Sequence, residues 1–522
     1  MRRLHGVAGS SASRSIAVIA AILVLATPFA GSSRAATSLT VNVAQRGTVI
    51  GSDAIGINAT LWGDHYYDAP TLPALTALGT SIVRFPGGST SDEYHWATNS
   101  VTKGSHTYIN PANGWPSMLQ KLLQPARQHL LITVNYGTNQ DGTGGGDPGE
   151  AAAWVKDANL NRGLGVRSWE IGNETYGNGY YGIGWEPDRH AGDISRDQKE
   201  ANPALSPSAY AANAHAFVTA MKAVDPSIKV FLVLAPPGSW FDITGKSRNG
   251  KPVQPWNATV LQNSCAWADG YAIHFYPQDP GTESDAKLLA HQDKIAARAA
   301  TLQQEYAQYC PGHHPQTILS ESNSVTSRPG RQTVSLVNGL FAAEDVASWL
   351  QAGIANVDWW SLYCGGYGVW ENNSPSLYGW EKFGDYGILS SGRNFDHKGQ
   401  SEPLAGTPFP AYYGLQLAAA ALPAGAAFLQ VQSGSPSVVA YAARASDGSL
   451  NLLLLNTDPA NSTTVSPTFV GFAPTTASAT WIGEDGQQGF TLPRTASLAV
   501  SHGTFTATLG PYSLTLIHLL GS

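Results

Sequence analysis

Charged side chains are scarce in this sequence, and none of them form a basic run. Asp, Glu, Lys and Arg together make up 13% of the 522 residues, about half the share usual in soluble domains. The net charge is −7, and the Lys and Arg residues are scattered along the chain. Nucleic-acid-binding proteins normally show a basic stripe or face, so this class is disfavoured and no nucleic-acid partner is expected.

Cysteine is nearly absent, which excludes a fold held together by many disulfides. The three cysteines, Cys265, Cys310 and Cys364, are enough for one bridge. Cys265 and Cys310 each precede a predicted strand, at the same end of neighbouring elements, so we predict a disulfide between them. Cys364 has no local base that could activate a thiolate, and we expect it to be a free thiol used in packing.

Motifs for metal and nucleotide binding are also missing. No H-E-x-x-H or G-x-S-x-G motif occurs, which removes the simplest metalloprotease and serine hydrolase interpretations. Residues 177–182 match G-x-G-x-x-G by letter, but W-E-P-D at 185–188 follows where a helix would have to begin. We therefore expect no cofactor and no catalytic metal.

Long apolar runs are rare, and the one that stands out lies near the start of the chain. Arg2, Arg3 and Arg14 precede an apolar run over residues 16–25, and small residues follow it to position 36. This order predicts a signal peptide over residues 1–36 and a secreted protein of net charge −11. The run is shorter than the 18 or so residues needed to span a bilayer, so we expect no membrane partner after cleavage.

Short apolar runs and helical patterns alternate over residues 52–422. The predicted strands cover residues 54–59, 81–85, 130–135, 168–171, 229–234, 271–275, 317–320 and 357–362. Eight strands, each followed by a helix or a long insertion, favour the α/β class and a closed (β/α)8 TIM barrel over an open sheet.

The pattern changes after residue 422. Short alternating runs separated by Gly, Asn, Asp and Ser predict a C-terminal β-sandwich over residues 423–522. Residues 38–43 alternate in the same way before the barrel begins, so we expect a strand within 38–50 to join that sandwich.

Two carboxylates end predicted barrel strands that lie across the mouth from each other. Glu174 follows the fourth strand and Glu321 follows the seventh. Chemistry in such barrels takes place at the C-terminal strand ends, and glycoside hydrolysis needs two facing carboxylates. One of them protonates the leaving oxygen, and the other attacks the anomeric carbon or activates water. The pair predicts a glycoside hydrolase.

The motifs around these carboxylates resemble those of retaining (β/α)8 glycoside hydrolases of clan A. W-E-I-G-N-E at 169–174 looks like the acid/base motif of the family 51 α-L-arabinofuranosidases, and R-F-P-G-G at 84–88, with Trp96, is similar to their second-strand motif. The seventh strand differs, because S-E-S-N-S at 320–324 looks more like that of the family 79 β-glucuronidases. The Gly-Gly-Ser-rich turn at 87–92 also echoes that family.

The resemblance implies a role for each residue of these motifs. Glu174 would be the general acid/base, and Glu321 would be the nucleophile. The substrate-binding residues implied in this way are Asn173, which would hold the sugar hydroxyl next to the reacting carbon, Arg84 and Tyr276, which would orient Glu321, and His274, which would line the pocket.

The two carboxyl groups should differ in protonation. Burial and the charge of Glu321 should raise the pKa of Glu174 so that it can act as an acid. Glu321 should stay ionised beside Arg84 and Tyr276. We expect the two groups to be about 5 to 5.5 Å apart and the configuration to be retained.

Further residues are expected to contact sugar or to support the site. Asn135 ends the third strand. Its side chain is expected either to hydrogen-bond to the substrate or to cap the following loop, and the sequence favours neither role. Tyr176, Trp360 and Trp370 belong to aromatic-rich segments after strand four and around strand eight, and aromatic rings stack on the C–H faces of sugars. Glu170 lies deeper in the barrel, and we expect it to form a structural pair.

These observations together predict a secreted retaining glycoside hydrolase acting on plant or microbial polysaccharide by double displacement. An α-L-arabinofuranosidase fits the motifs best, with carbohydrate substrate as the partner. A β-glucuronidase or another clan A enzyme of xylan or glucan type is the first alternative. A non-catalytic carbohydrate-binding protein is the second.

Overall fold

The structure is a computed structural model that describes residues 36–366, 372–395 and 400–521. The predicted signal peptide, apart from residue 36, lies outside the described residues, and so does Trp370. In the part of the chain that the structure describes, no helix combines the length and apolarity needed to cross a membrane.

The first eleven strands contain the barrel. They are β1 (Thr37–Val49), β2 (Ile55–Asn58), β3 (Ile82–Phe85), β4 (Tyr94–His95), β5 (Ser100–Val101), β6 (His129–Val134), β7 (Ser168–Ile171), β8 (Lys229–Val233), β9 (Gly270–Phe275), β10 (Gln316–Ser322) and β11 (Asn356–Trp359). Strands β2, β3 and β6 to β11 close into a parallel barrel, and β4 and β5 form a small hairpin. The predicted (β/α)8 barrel is confirmed, because each barrel strand coincides with a predicted run to within three residues at either end.

Helices lie between and after these strands. They are α1 (Thr71–Leu78), α2 (Trp115–Met118), α3 (Pro148–Val155), α4 (Arg196–Lys199), α5 (Pro207–Val224), α6 (Trp240–Ile243), α7 (Trp256–Ser264), α8 (Asp285–Leu288), α9 (Gln292–Tyr309), α10 (Leu336–Gln351) and α11 (Pro410–Ala421). Helix α5 illustrates their sequence signals. The side chain of Ser206 caps its start by accepting a hydrogen bond from the backbone N–H of Ala209, and Pro207 occupies its first turn. Its buried face includes Tyr210, Ala214, Phe217 and Met221, at the helical spacing that the sequence showed.

The remaining strands complete the C-terminal region. They are β12 (Asn394–Phe395), β13 (Gln400–Ser401), β14 (Ala427–Ser433), β15 (Val438–Arg444), β16 (Leu450–Asn456), β17 (Thr463–Val470), β18 (Pro474–Gly483), β19 (Arg494–Leu498), β20 (Ala507–Leu509) and β21 (Ser513–Gly521). A nine-stranded sheet runs in the order β19-β18-β21-β16-β15-β14-β1-β17-β20. Strand β1 pairs antiparallel with β14 and parallel with β17, so the segment before the barrel is built into this sheet.

The nine-stranded sheet has an apolar core of its own. Leu39, Leu452, Val465 and Leu509 are all buried in it and come from strands far apart in the sheet order. The sheet must therefore fold over on itself, as a sandwich does. Its other face packs on α10 and α11 of the barrel, where Tyr441 hydrogen-bonds to the hydroxyl of Ser348 at 2.6 Å and is fully enclosed.

A disulfide joins Cys265, just after α7, to Cys310, just after α9, with their Cα atoms 5.5 Å apart. The bond closes a loop with a sequence separation of 45 residues. Cys364 is a free thiol whose pKa is raised by burial. Packing is the role that its position supports.

Replacing both bridging cysteines, as Cys265→Ala and Cys310→Ala, is expected to lower the free energy of unfolding by about 4 kcal/mol, because the unfolded chain regains the freedom of the closed loop. Urea unfolding of the oxidised wild type and the double variant measures the difference. Dithiothreitol-reduced wild type is the matched control and should unfold near the variant. Equal midpoints for the variant and the oxidised protein would show that this bond does not contribute to stability.

Candidate active site

The two strand-end glutamates face each other across the barrel mouth. One carboxylate oxygen of Glu174, one of Glu321 and one ring nitrogen of His274 all lie within 4.8 Å of one another. Carboxyl groups about 5 to 5.5 Å apart are typical of retaining glycosidases, and about 6.5 to 9.5 Å of inverting ones. The close approach of the two carboxylates is therefore nearer to the retaining arrangement than to the inverting one.

The turn after β7 aims Glu174 into the mouth. Gly172 and Glu174 both have positive φ, at 75° and 33°. For a non-glycine residue this backbone costs about 1 to 3 kcal/mol and persists only where its surroundings hold it. Asp92 provides that support, because its carboxylate accepts hydrogen bonds from the backbone N–H groups of Asn173 at 2.9 Å and of Tyr136 and Gly137 at 3.1 Å.

Arg84 connects the acids on both sides of the barrel. Its side chain is fully buried and donates to Glu170 and Glu321 at 2.7 Å each, to Asn173 at 2.9 Å and to Asn58 at 3.1 Å. Burial alone would lower the pKa of Arg84, but the charges of Glu170 and Glu321 raise it above its usual value. The guanidinium therefore stays charged and fixes one oxygen of Glu321. Glu170 forms a structural pair with it, as expected from its depth in the barrel.

Glu321 is held at both oxygens. Arg84 donates to one oxygen, and the hydroxyl of Tyr276 donates to the other at 2.8 Å. Only 7% of its side chain is exposed. Burial, and then the charge of Glu321, raise the pKa of Tyr276 well above its usual value, so this phenol remains a hydrogen-bond donor. A carboxylate that is oriented at both oxygens and has little solvent contact is suited to attack an electrophilic carbon.

Glu174 accepts three hydrogen bonds that the sequence did not reveal. Tyr176 donates to one oxygen at 2.9 Å, the indole N–H of Trp185 donates to the other at 2.6 Å, and Nδ1 of His274 lies 3.0 Å from the first. Burial raises the pKa of Glu174, but these hydrogen bonds and the charge of His274 outweigh it and lower the pKa below its usual value. The expectation of a raised pKa is therefore wrong for the free protein. It omitted the imidazole, whose contact depends on the fold.

His274 is paired with Glu174 through Nδ1, which lies 3.0 Å from a carboxylate oxygen. Its other nitrogen lies 3.2 Å from the hydroxyl of Ser320, so the ring is fixed from both sides. Burial lowers the pKa of His274, but the nearby charges of Glu321 and Glu174 raise it above the usual value. One proton on this pair can sit on the imidazole while the site is empty and on Glu174 when an acid is needed, so its apparent pKa belongs to the pair.

Replacing Glu174 by Gln is expected to lower the pKa of His274 towards the usual value of about 6.5, because the imidazole loses one of its two carboxylate neighbours. The measurement is an NMR titration of ¹³C-labelled histidines, with His274→Asn identifying the signal. In the wild type, the contribution of this contact to stability is complete below the unfolded-state pKa and is lost as the pH rises through the higher folded-state pKa. An unchanged titration in Glu174→Gln would contradict the shared proton.

A third carboxyl group, that of Glu186, contacts the side chain of Asn173. The sequence did not single it out. Glu186 accepts hydrogen bonds at a single oxygen, from the hydroxyl of Ser89 at 2.7 Å and the side-chain amide of Asn173 at 2.9 Å. Burial, and then the charges of Asp92 and Glu174, raise the pKa of Glu186 well above its usual value. Glu186 lies within a loop rather than at a strand end, so no periodicity marked it.

Trp360 belongs to a small apolar cluster against which Tyr276, the donor to Glu321, packs. The ring of Trp360 is 7% exposed and lies 5.9 Å from the ring of Trp62, between centroids. A Cβ atom at Gly87 or Gly88 would approach the Trp360 ring to 2.8 Å, which explains why two glycines follow β3. A contact between Trp360 and sugar stays a prediction.

Asn135 and the aromatic loops serve mainly to hold the site together. The side chain of Asn135 accepts from the backbone N–H of Thr138 and donates to the carbonyl of Tyr94, which makes it a loop cap. The hydroxyl of Tyr176 is already hydrogen-bonded to Glu174. Tyr180, Tyr181 and Trp185 follow the fourth barrel strand and pack with Trp240 and Phe241 of α6, although 43% of Trp185 remains exposed.

Glu174, His274 and Glu321 are close enough together for a metal ion to bind them. Each is already hydrogen-bonded, however: Arg84 and Tyr276 donate to Glu321, and Glu174 accepts three hydrogen bonds. A metal would have to displace these partners. These hydrogen-bond donors are better suited to orienting the two carboxylates than to leaving them free for a metal.

No family model matches the chain. Its sequence is 26% identical over 254 residues to a probable α-L-arabinofuranosidase C of Aspergillus terreus, covering 44% of this chain and 43% of that protein. The corresponding protein of Aspergillus niger is 26% identical over 235 residues, covering 40% of each chain. The chain thus spans less than half the length of these curated relatives.

Solved structures share the whole architecture at low sequence identity. The family 51 arabinofuranosidase of Xanthomonas axonopodis pv. citri superposes with a TM-score of 0.65 at 16% identity, over 93% of this chain and 100% of that one. An arabinose complex of α-L-arabinofuranosidase from Thermotoga maritima gives 0.64 at 16%, with the same coverage. A 4-O-α-L-rhamnosyl-β-D-glucuronidase of Fusarium oxysporum gives 0.60 at 20%, over 92% and 100%. The resemblance inferred from the motifs is confirmed, and at these identities the structural likeness establishes the shared fold.

Proposed function

We propose that this chain is a retaining glycoside hydrolase that releases α-L-arabinofuranosyl units from plant or microbial polysaccharide. The observation that carries the proposal is the approach of one oxygen of Glu174 and one of Glu321 to within 4.8 Å at the barrel mouth. The arabinofuranosidase names of the curated relatives support the choice of sugar. Secretion is part of the proposal and rests on the predicted signal peptide.

In the first step, a carboxylate oxygen of Glu321 forms a bond to the anomeric carbon while the bond to the leaving oxygen breaks. Glu174 transfers to that oxygen the proton that it shares with His274. Because Arg84 and Tyr276 already orient Glu321, little reorganisation is needed before attack. The products of this step are a glycosyl ester on Glu321 and the departing alcohol.

In the second step, water replaces Glu321 at the same carbon. The ester on Glu321 is neutral, so Glu174 no longer faces a second negative charge across the mouth. Glu174 then accepts a proton from the attacking water, and Glu321 leaves as a carboxylate. Two inversions at one carbon give net retention.

The test of this proposal is a panel of 4-nitrophenyl glycosides, followed by proton NMR of the first sugar released. We expect the α-L-arabinofuranoside to be cleaved best and to yield the α anomer before mutarotation. Initial release of the β anomer would contradict double displacement. The panel includes a β-glucuronide, β-xyloside and β-galactoside.

A β-glucuronidase is the second candidate. The S-E-S-N-S sequence at 320–324 and the likeness to the Fusarium glucuronidase favour it. Turnover of the glucuronide alone would support this candidate and overturn the arabinofuranosidase proposal.

A further inference from the structure

A cavity of about 390 Å³ lies beside Trp185, the residue whose indole N–H donates to Glu174. Ser89, Trp185 and Glu186 line its inner wall, and Arg196 and Lys199 line it as well. Trp185 connects this cavity to the catalytic pair. Its indole N–H donates to Glu174, its side chain lines the cavity, and 43% of the residue is exposed. The volume lies within the usual range of small-molecule sites, about 300 to 1,000 Å³.

Glu186 contributes a buried group without a partner to this cavity. It is 4% exposed, one oxygen accepts from Ser89 and Asn173, and the other has no hydrogen-bond partner. Burial raises the pKa of Glu186, which favours the protonated carboxyl and would let this second oxygen donate a hydrogen bond. Buried polar groups are nearly always hydrogen-bonded, so an unused donor at a cavity wall indicates a ligand or water there.

Two cations line the same cavity. Arg196 donates to the carbonyl of Gly182 at 3.4 Å and Lys199 to the carbonyl of Asp188 at 3.2 Å, and neither forms an ion pair with a carboxylate among the described residues. Burial lowers the pKa of Lys199, so an anionic ligand would stabilise its charged form. The ionisable acid besides Glu186 that lines the cavity is Glu93, which accepts a hydrogen bond from Thr107.

We propose that this cavity is a leaving-group subsite for a carboxylate-bearing sugar, a uronate residue of the polysaccharide substrate. The inference rests on the proposed function, because Glu174 is the group that protonates the leaving oxygen and the cavity lies beyond it. Arg196, Lys199 and the free oxygen of Glu186 offer hydrogen-bond donors to a carboxylate, and the Trp185 ring offers a face to the sugar. Charge-assisted hydrogen bonds of this kind are roughly twice as strong as neutral ones.

The experiment uses two substrates that differ in one group. One is an arabinofuranosylated oligosaccharide with a hexuronate next to the branch point, and the other is the same compound with its carboxylate reduced to a primary alcohol. We expect the wild type to cleave the acidic compound with a kcat/KM about 10-fold higher. In the double variant Arg196→Gln and Lys199→Gln this ratio should fall to about 1, and added salt should weaken it in the wild type.

Arg189→Gln is the matched control, since it removes one charge from the same loop but does not line the cavity. It should keep the wild-type ratio. A wild-type ratio near 1, or a ratio unaffected by the double variant, would overturn the subsite while leaving the hydrolase intact. Failure to release arabinose from either compound, or from the 4-nitrophenyl arabinofuranoside, would instead overturn the proposed function.

Discussion

Replacing Glu321 by Gln is expected to lower kcat/KM by at least about 10⁴-fold, because the amide cannot form the glycosyl ester. The substitution preserves shape and one acceptor oxygen, so Arg84 and Tyr276 can keep much of their geometry. The measurement is hydrolysis of 4-nitrophenyl α-L-arabinofuranoside, with circular dichroism and thermal unfolding to check the fold. The loss should be equal for good and poor leaving groups.

Glu381→Gln is the control for this substitution. Its carboxyl group lies in the segment after β11, away from the catalytic pair. It is half-buried, and burial raises its pKa to about 7. This variant should hydrolyse the substrate like the wild type. Activity of Glu321→Gln within about tenfold of the wild type would exclude Glu321 as the nucleophile.

Replacing Glu174 by Ala is expected to produce a loss that depends on the leaving group. Polysaccharide and 4-methoxyphenyl substrates need a protonated leaving oxygen, so kcat/KM should fall by about 10² to 10⁴. A 2,4-dinitrophenyl arabinofuranoside needs no such proton, and its first step should remain fast while the glycosyl ester accumulates. Rapid-quench kinetics should therefore show a burst of dinitrophenol.

Azide provides the complementary test of Glu174→Ala. This small anion needs no general base and can occupy the space of the lost carboxylate, so it should speed the second step and yield an arabinosyl azide of retained configuration. An azide product of inverted configuration would assign Glu174 the role of the nucleophile. Equal losses for good and poor leaving groups would contradict an acid/base role.

Much of the barrel could be predicted because its signals are local. Each strand is a short apolar run that ends near a polar cluster, and the cap of α5 at Ser206 is a pattern of adjacent residues. The strand-end rule then brings Glu174 and Glu321 to one mouth without knowledge of any side-chain contact. The presence of strands in the C-terminal region could be predicted from the alternation of apolar and polar residues. The order in which these strands pair could not.

The electrostatics of the site could not be predicted, because they depend on contacts between distant parts of the chain. His274 is 100 residues from Glu174, and their contact reverses the direction expected for the pKa of that acid. Glu186 lies on a loop with no hydrophobic periodicity, and its hydrogen-bond donors Ser89 and Asn173 come from two other segments. A rule about strand ends could find the two carboxylates but not the groups that set their protonation.

The central claim is that Glu321 becomes covalently bonded to the sugar in every turnover. The most direct measurement treats Glu174→Ala with 2,4-dinitrophenyl α-L-arabinofuranoside, quenches with acid, and maps the modified peptide by mass spectrometry. One arabinosyl unit on Glu321, absent from the double variant Glu174→Ala and Glu321→Gln, is the predicted result. An unmodified protein during steady turnover, or a sugar on another side chain, would contradict the account.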